Sequence, residues 1–136
     1  MRMLALSLIA TAGLAGCAQT PAQTARAQAA AAASQQALAG ELTGLRAVST
    51  SDCLQDRSAT SGLKAYGDSL VYRVSDRLKY VNATTGGCEG VARGDVLVTI
   101  SNSGRLCRGD IARTVDQTGH FPTGSCALGS FTTYRK

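Results

Sequence analysis

Tryptophan is absent from this chain, histidine occurs once, and only six of its 136 residues are aromatic. So few large side chains limit the core that one domain can bury. A zinc site built on several imidazoles is excluded, because His120 is the single histidine, and no two cysteines stand in Cys-x-x-Cys spacing. The same lack of close cysteines excludes a thioredoxin-like redox motif. No run of Lys or Arg marks a nucleic-acid stripe. A Walker-type phosphate loop, a dinucleotide fingerprint, a Gly-x-Ser-x-Gly elbow and an Asp-x-Asp-x-Asp-Gly calcium loop are all missing. No stretch reaches the roughly 20 apolar residues that span a bilayer. These absences lead to the expectation of a chain with no metal site, no diffusible cofactor and no nucleic-acid partner.

What is present begins at the amino terminus. Met1-Arg2-Met3 is followed by an apolar run, Leu4 to Ala12, and then by Leu14-Ala15-Gly16-Cys17. A charged tip, an apolar middle and small residues at the cut form a secretion signal. Small residues directly before a cysteine resemble the lipobox of bacterial lipoproteins. That resemblance implies cleavage between Gly16 and Cys17, a diacylglycerol thioether on Cys17 and acylation of the new amino terminus. The membrane thereby becomes a partner through the anchor. Each buried methylene contributes about 0.8 kcal/mol, and two or three chains together hold far more firmly than one. Ala18 follows the cysteine. By the enterobacterial sorting rule it implies the outer membrane, facing the periplasm.

Removal of residues 1–16 takes Arg2 with it and leaves 13 basic and 9 acidic side chains. The excess is mild and scattered. Four cysteines remain beside Cys17: Cys53, Cys88, Cys107 and Cys126. An even number in an exported domain reads as two disulfides. Three pairings are possible. Succession along the chain favours Cys53–Cys88 and Cys107–Cys126.

Composition divides the rest into a lipidated tether, residues 17–50, and a domain, residues 51–136. The tether is rich in Ala, Gln, Thr and Ser. Ala27 to Ala39 has high helix propensity, yet an isolated helix of this length is marginal in water. Helix and flexible spacer both remain open. Leu38, Leu42 and Leu45 are spaced to share a helical face and to dock its end on the domain. All six aromatics lie beyond residue 60. Leu70, Tyr72 and Val74 alternate with Val71 and Arg73, which predicts a strand. Gly67-Asp68 predicts a hairpin to Gly62–Tyr66. Ser75-Asp76-Arg77 predicts a second hairpin to the Leu78–Asn82 strand. Val96–Ile100, Ile111–Val115 and Leu128–Tyr134 complete the set. The expected fold is all-β: an antiparallel meander of five to six short strands, closed as a small barrel or folded as a sandwich. Two disulfides would contribute about 3–4 kcal/mol each.

Several residues invite a chemical role. Arg108-Gly109-Asp110 has the form of an adhesion tripeptide, but its place between a cysteine and a strand favours a turn or bulge. Asp68, Asp76, Asp95, Asp110 and Asp116 sit where Asp bonds local backbone amides. His120 is expected in a surface loop. Residues from about Asp52 to Phe131 resemble a family of small exported proteobacterial proteins of unknown function. The resemblance rests on Cys53, Asp68-Ser69-Leu70-Val71-Tyr72, Tyr80-Val81-Asn82, Cys88-Glu89-Gly90-Val91, Leu106-Cys107-Arg108-Gly109-Asp110-Ile111 and Cys126-Ala127-Leu128-Gly129-Ser130-Phe131. Glu89-Gly90 departs from the apolar residue and Pro-Gly usual near the second cysteine. The resemblance implies disulfides and a β domain, and no activity. The leading expectation is a non-enzymatic envelope lipoprotein binding an envelope protein or the cell wall. The alternative is a small-ligand or hydrolytic domain with a pocket inside a barrel, lined by Tyr72, Tyr80, Arg73 and Arg105.

Overall fold

The computed structural model describes residues 20–136. The signal segment, its cleavage site at Gly16 and the lipid-bearing Cys17 lie outside the described residues. One helix, α1 (Pro21–Glu41), precedes eight strands: β1 (Arg46–Ser51), β2 (Leu63–Tyr66), β3 (Ser69–Ser75), β4 (Leu78–Ala83), β5 (Val96–Ile100), β6 (Ile111–Val115), β7 (Pro122–Ala127) and β8 (Phe131–Arg135). Two 3-10 turns, Arg57–Ser61 and Glu89–Arg93, interrupt the series.

Helix α1 starts on a capping box. The Thr20 side chain accepts from the Gln23 amide, the Gln23 side chain accepts from the Thr20 amide, and Pro21 opens the first turn. No residue of α1 is fully buried, so alanine propensity carries most of its length. Its last turn is different. Leu38, Leu42 and Leu45 are half-buried, and Glu41 accepts from Tyr66 Oη at 2.8 Å and from Lys79 Nζ at 2.5 Å. Lys79 Nζ also donates to the Glu41 carbonyl at 2.5 Å, which satisfies an orphan carbonyl at the helix end. The helix end therefore sits on the outer face of β2 and β4.

Strand order is β1-β8-β4-β3-β2 in one sheet and β5-β6-β7 in the other, with every pairing antiparallel. The two-residue Gly67-Asp68 turn joins β2 to β3, with Gly67 at φ 56°. The expected β2–β3 and β3–β4 hairpins are both present. Closure into a barrel is not. The last strand returns between β1 and β4 instead of extending a meander, and among the described residues β1, β2, β5 and β7 each keep a free edge. Strand β1 also brings residues 46–50 into the sheet, a stretch whose composition matched the tether.

Register explains the core. Leu63, Ala65, Leu70, Tyr72, Tyr80, Asn82, Phe131 and Thr133 share the inner face of the larger sheet. Leu97, Thr99, Ala112, Thr114 and Cys126 share the inner face of the smaller one. Leu70, Tyr72, Tyr80, Phe131, Ala112 and Cys126 belong to one buried cluster. The disulfides are Cys53–Cys107 and Cys88–Cys126. This corrects the expected pairing of successive cysteines. The chain folds back on itself twice, so Cys53 and Cys107 meet across an isolated antiparallel bridge, while Cys88 meets the inward-facing Cys126 of β7.

Candidate functional site

A groove of about 380 Å³ opens beside the Cys53–Cys107 bond. Its floor is Leu54, which is 2% exposed, and the half-buried Leu106. These leucines are bonded to each other: the Leu54 amide donates to the Leu106 carbonyl at 2.8 Å. One wall is the 3-10 turn carrying Arg57 and Thr60. The other is the end of β5 and the loop after it, with Thr99, Ser101, Gly104 and Arg105. A cavity of this size is within the range of small-molecule sites.

Each arginine is held at its backbone. Thr60 Oγ1 donates to the Arg57 carbonyl at 3.0 Å, and the hydroxyls of Ser101 and Ser103 both donate to the Arg105 carbonyl. Asp56 caps the 3-10 turn, accepting from the Ser58 hydroxyl at 2.7 Å and its amide at 2.9 Å. Those bonds hold the Asp56 carboxyl below its ordinary range. Among the described residues neither the Arg57 nor the Arg105 guanidinium is in an ion pair. The groove thus presents two exposed cations over an apolar floor.

A scan of protein-family models, a search of curated proteins and a search of solved structures found no match to this chain. The site is read from its own geometry.

The residues proposed to line a barrel pocket do not converge. Tyr72 and Tyr80 face each other in register within the core. The Tyr72 ring lies 5.7 Å from that of Phe131, its hydroxyl has no partner among the described residues, and burial pushes the phenol well above its ordinary range. Arg73 is exposed and paired with Asp76. Only Arg105 belongs to the groove. His120 is exposed in the β6–β7 turn at φ 55°. It borders a separate hollow of about 470 Å³ with Val96, Val98, Val115 and Asp116.

The aspartates divide. Asp110 accepts from the Cys107 amide at 2.8 Å, so the carboxylate of the Arg-Gly-Asp tripeptide closes a turn. Asp116 accepts from the amides of Thr118 at 2.9 Å and Gly119 at 2.5 Å. Asp95 departs from the turn reading: its carboxylate accepts from Thr123 Oγ1 at 2.5 Å and faces Arg93 at 3.8 Å. Asp68 meets Glu89, which the sequence marked only as a departure near the second cysteine. The bond between the two carboxyls raises Asp68, whereas the Gly87 amide, donating to Glu89 at 2.8 Å, leads the lowering of Glu89. Sequence reasoning also missed Arg57 and Leu54. Their only signal was proximity to Cys53.

Apart from the groove, an apolar surface lies on the outer face of β5–β6–β7. Val96, Val98, Ile100 and Ile111 are 44–57% exposed there. Arg113 stands among them, opposite Val98 on one side and Ser125 on the other. Strand β5 is an edge, and it bears no charged residue or proline within Val96–Ile100, the usual devices that blunt an edge.

Proposed function

We propose that this chain is a lipid-anchored, non-enzymatic binding module of the bacterial cell envelope. Cys17 would carry the lipid, in the outer membrane with the domain facing the periplasm. Helix α1, about 30 Å long, would act as a spacer.

The observation that carries the binding role is the uncharged, apolar β5 edge. Strand addition supplies main-chain hydrogen bonds along such an edge and side-chain contacts at alternate positions. The fitting partner is an extended segment of an envelope protein with apolar residues at alternate positions and a carboxylate placed to meet Arg113.

Two measurements test the reading. Chain recovered from membranes should carry diacylglycerol on residue 17, and Cys17→Ser should release it into the soluble fraction. A bare sulfur would overturn the anchor. A photo-crosslinking residue at Val98 in intact cells should give a discrete adduct with an envelope protein, while one at the β3–β4 turn residue Asp76 should not. Adducts from neither position in repeated trials, or from both alike, would overturn the docking edge.

A further inference from the structure

We propose that the groove between Arg57 and Arg105 binds an anionic amphiphile, with a phosphate head between the two guanidinium groups and an aliphatic body over Leu54 and Leu106. The groove shares Thr99 with the β5 edge, but its arginines and leucines lie off that strand, so the two readings can fail separately.

Four observations carry it. The two arginines come from segments nearly fifty residues apart, yet they flank one concavity. Neither is in an ion pair among the described residues, so a ligand anion competes with no internal carboxylate. The floor is apolar, and a bare inorganic anion would leave it uncovered. The lips are fixed before any ligand arrives: Cys53 is bonded to Cys107, Leu54 to Leu106, and the Arg108 amide to the Asp52 carbonyl at 2.6 Å. Fixed walls reduce the ordering cost of binding.

The head group follows from the donors. A guanidinium presents a planar fork of N–H groups that one carboxylate already matches with both of its oxygens. Two forks lining one groove suit the larger set of oxygens on a phosphate. The hydroxyls of Thr60 and Ser101 are spent on the carbonyls of Arg57 and Arg105. They position the arginines and leave the guanidiniums as the main donors. A phosphate on an aliphatic chain can come from a free amphiphile or from the headgroup of a bilayer lipid.

The test uses the processed chain, residues 17–136, carrying Cys17→Ser, which keeps both the apolar signal segment and attached acyl chains out of the titration. Octyl phosphate is titrated by calorimetry against inorganic phosphate and octanol. Saturable binding is expected, at least tenfold tighter than either control. Arg57→Gln and Arg105→Gln should each weaken it about tenfold or more, the loss expected for a charged hydrogen-bond partner. Arg77→Gln, equal in charge change but outside the groove, should leave it unaltered. Both groove arginines are exposed, and unchanged melting temperatures would confirm that these variants fold. Arg105→Lys, which keeps charge and loses the fork, should fall between wild type and Arg105→Gln. Vesicles of phosphatidylcholine with and without phosphatidylglycerol separate the sources. Recruitment that depends on phosphatidylglycerol and on both groove arginines assigns a bilayer headgroup. Octyl phosphate binding without recruitment assigns a free amphiphile. Binding no tighter than inorganic phosphate or octanol, equal loss in Arg77→Gln, or vesicle recruitment indifferent to Arg57 and Arg105 would each overturn the proposal.

Discussion

A single buried amide shows how little slack the core contains. Asn82 is fully buried on the inner face of β4. Its Nδ2 donates to the Gly129 carbonyl at 2.7 Å, and its Oδ1 accepts from the Gly129 amide at 3.0 Å. One side chain thus satisfies both backbone groups of the residue that leads into β8. Gly129 cannot be larger, since a Cβ there would come within 2.1 Å of the Ala83 carbonyl oxygen. The amide and the glycine form one device for closing β8 onto β4. Asn82→Ala leaves the half-buried amide and carbonyl of Gly129 unpaired, and the expected cost is about 1–3 kcal/mol. Asn82→Asp keeps the acceptor and loses the donor at neutral pH. Its carboxyl, buried without a cation, should hold a proton above the ordinary range, and the protonated form can donate to Gly129 again. Its deficit relative to wild type should therefore shrink as pH falls from 7 to 4. Urea unfolding under non-oxidising, non-reducing conditions at the two pH values measures both effects. A deficit that grows on acidification would contradict the role given to the Gly129 carbonyl.

At the scale of elements, the docked end of α1 carries its own pH signature. Glu41 lies within reach of Lys79, Tyr66 and Lys64. The Lys79 hydrogen bond leads the causes that lower its carboxyl from 4.5 to about 2, while burial and the Glu41 contact push Tyr66 up to about 12. A depressed carboxyl stabilises the fold above its unfolded pKa and ceases to do so as pH falls through the folded one. The contribution of Glu41 is thus complete above about pH 4.5 and is lost between there and pH 2. Glu41→Gln should cost about 1–3 kcal/mol at neutral pH, with the gap to wild type closing across that acid window. Hydrogen exchange should locate the loss in residues 38–45 and in β2. Much of the fold was legible: β2, β3, β4, β5, β6 and β8 announce themselves through alternation, and the β2–β3 hairpin through Gly67-Asp68. Strands β1 and β7 did not. Both are edges made of small or polar residues, Arg-Ala-Val-Ser-Thr-Ser and Pro-Thr-Gly-Ser-Cys-Ala, with too little apolar contrast to show a period. Pro122, which reads as a breaker, is tolerated because it opens an edge strand. The groove was half legible. Arg105 stood in the densest stretch of the sequence, but Arg57 and Leu54 reach it only through a long-range bridge that local patterning cannot report.

For the whole molecule, two open sheets with a modest shared core depend on their cross-links. The disulfides close separations of 54 and 38 residues. Loops of that size are worth about 4 kcal/mol each in the chain-entropy model, against a total of about 5–15 kcal/mol for an ordinary domain. The two bonds differ in setting. Cys88 and Cys126 are 2% and 4% exposed within the core, whereas Cys53 and Cys107 are half-buried at the lip of the groove. A thiol reagent must reach a sulfur to exchange with it. Dithiothreitol under native conditions should therefore open Cys53–Cys107 first, and Cys88–Cys126 only as the domain unfolds. Alkylation and peptide mass analysis over time would show two alkyl groups on residues 53 and 107 before any on 88 and 126. Simultaneous labelling of all four would mean that the first bond alone holds the fold together. The paired variants should rank in the same way. Cys88→Ala with Cys126→Ala loses the cross-link and also leaves a core void, so it should melt lower than Cys53→Ala with Cys107→Ala. The latter keeps the Leu54–Leu106 and Arg108–Asp52 backbone bonds but no longer clamps them. If the groove owes its shape to that clamp, octyl phosphate should bind this variant more weakly even at temperatures where it is fully folded. Stability and recognition would then share one covalent bond at the point where the two sheets meet.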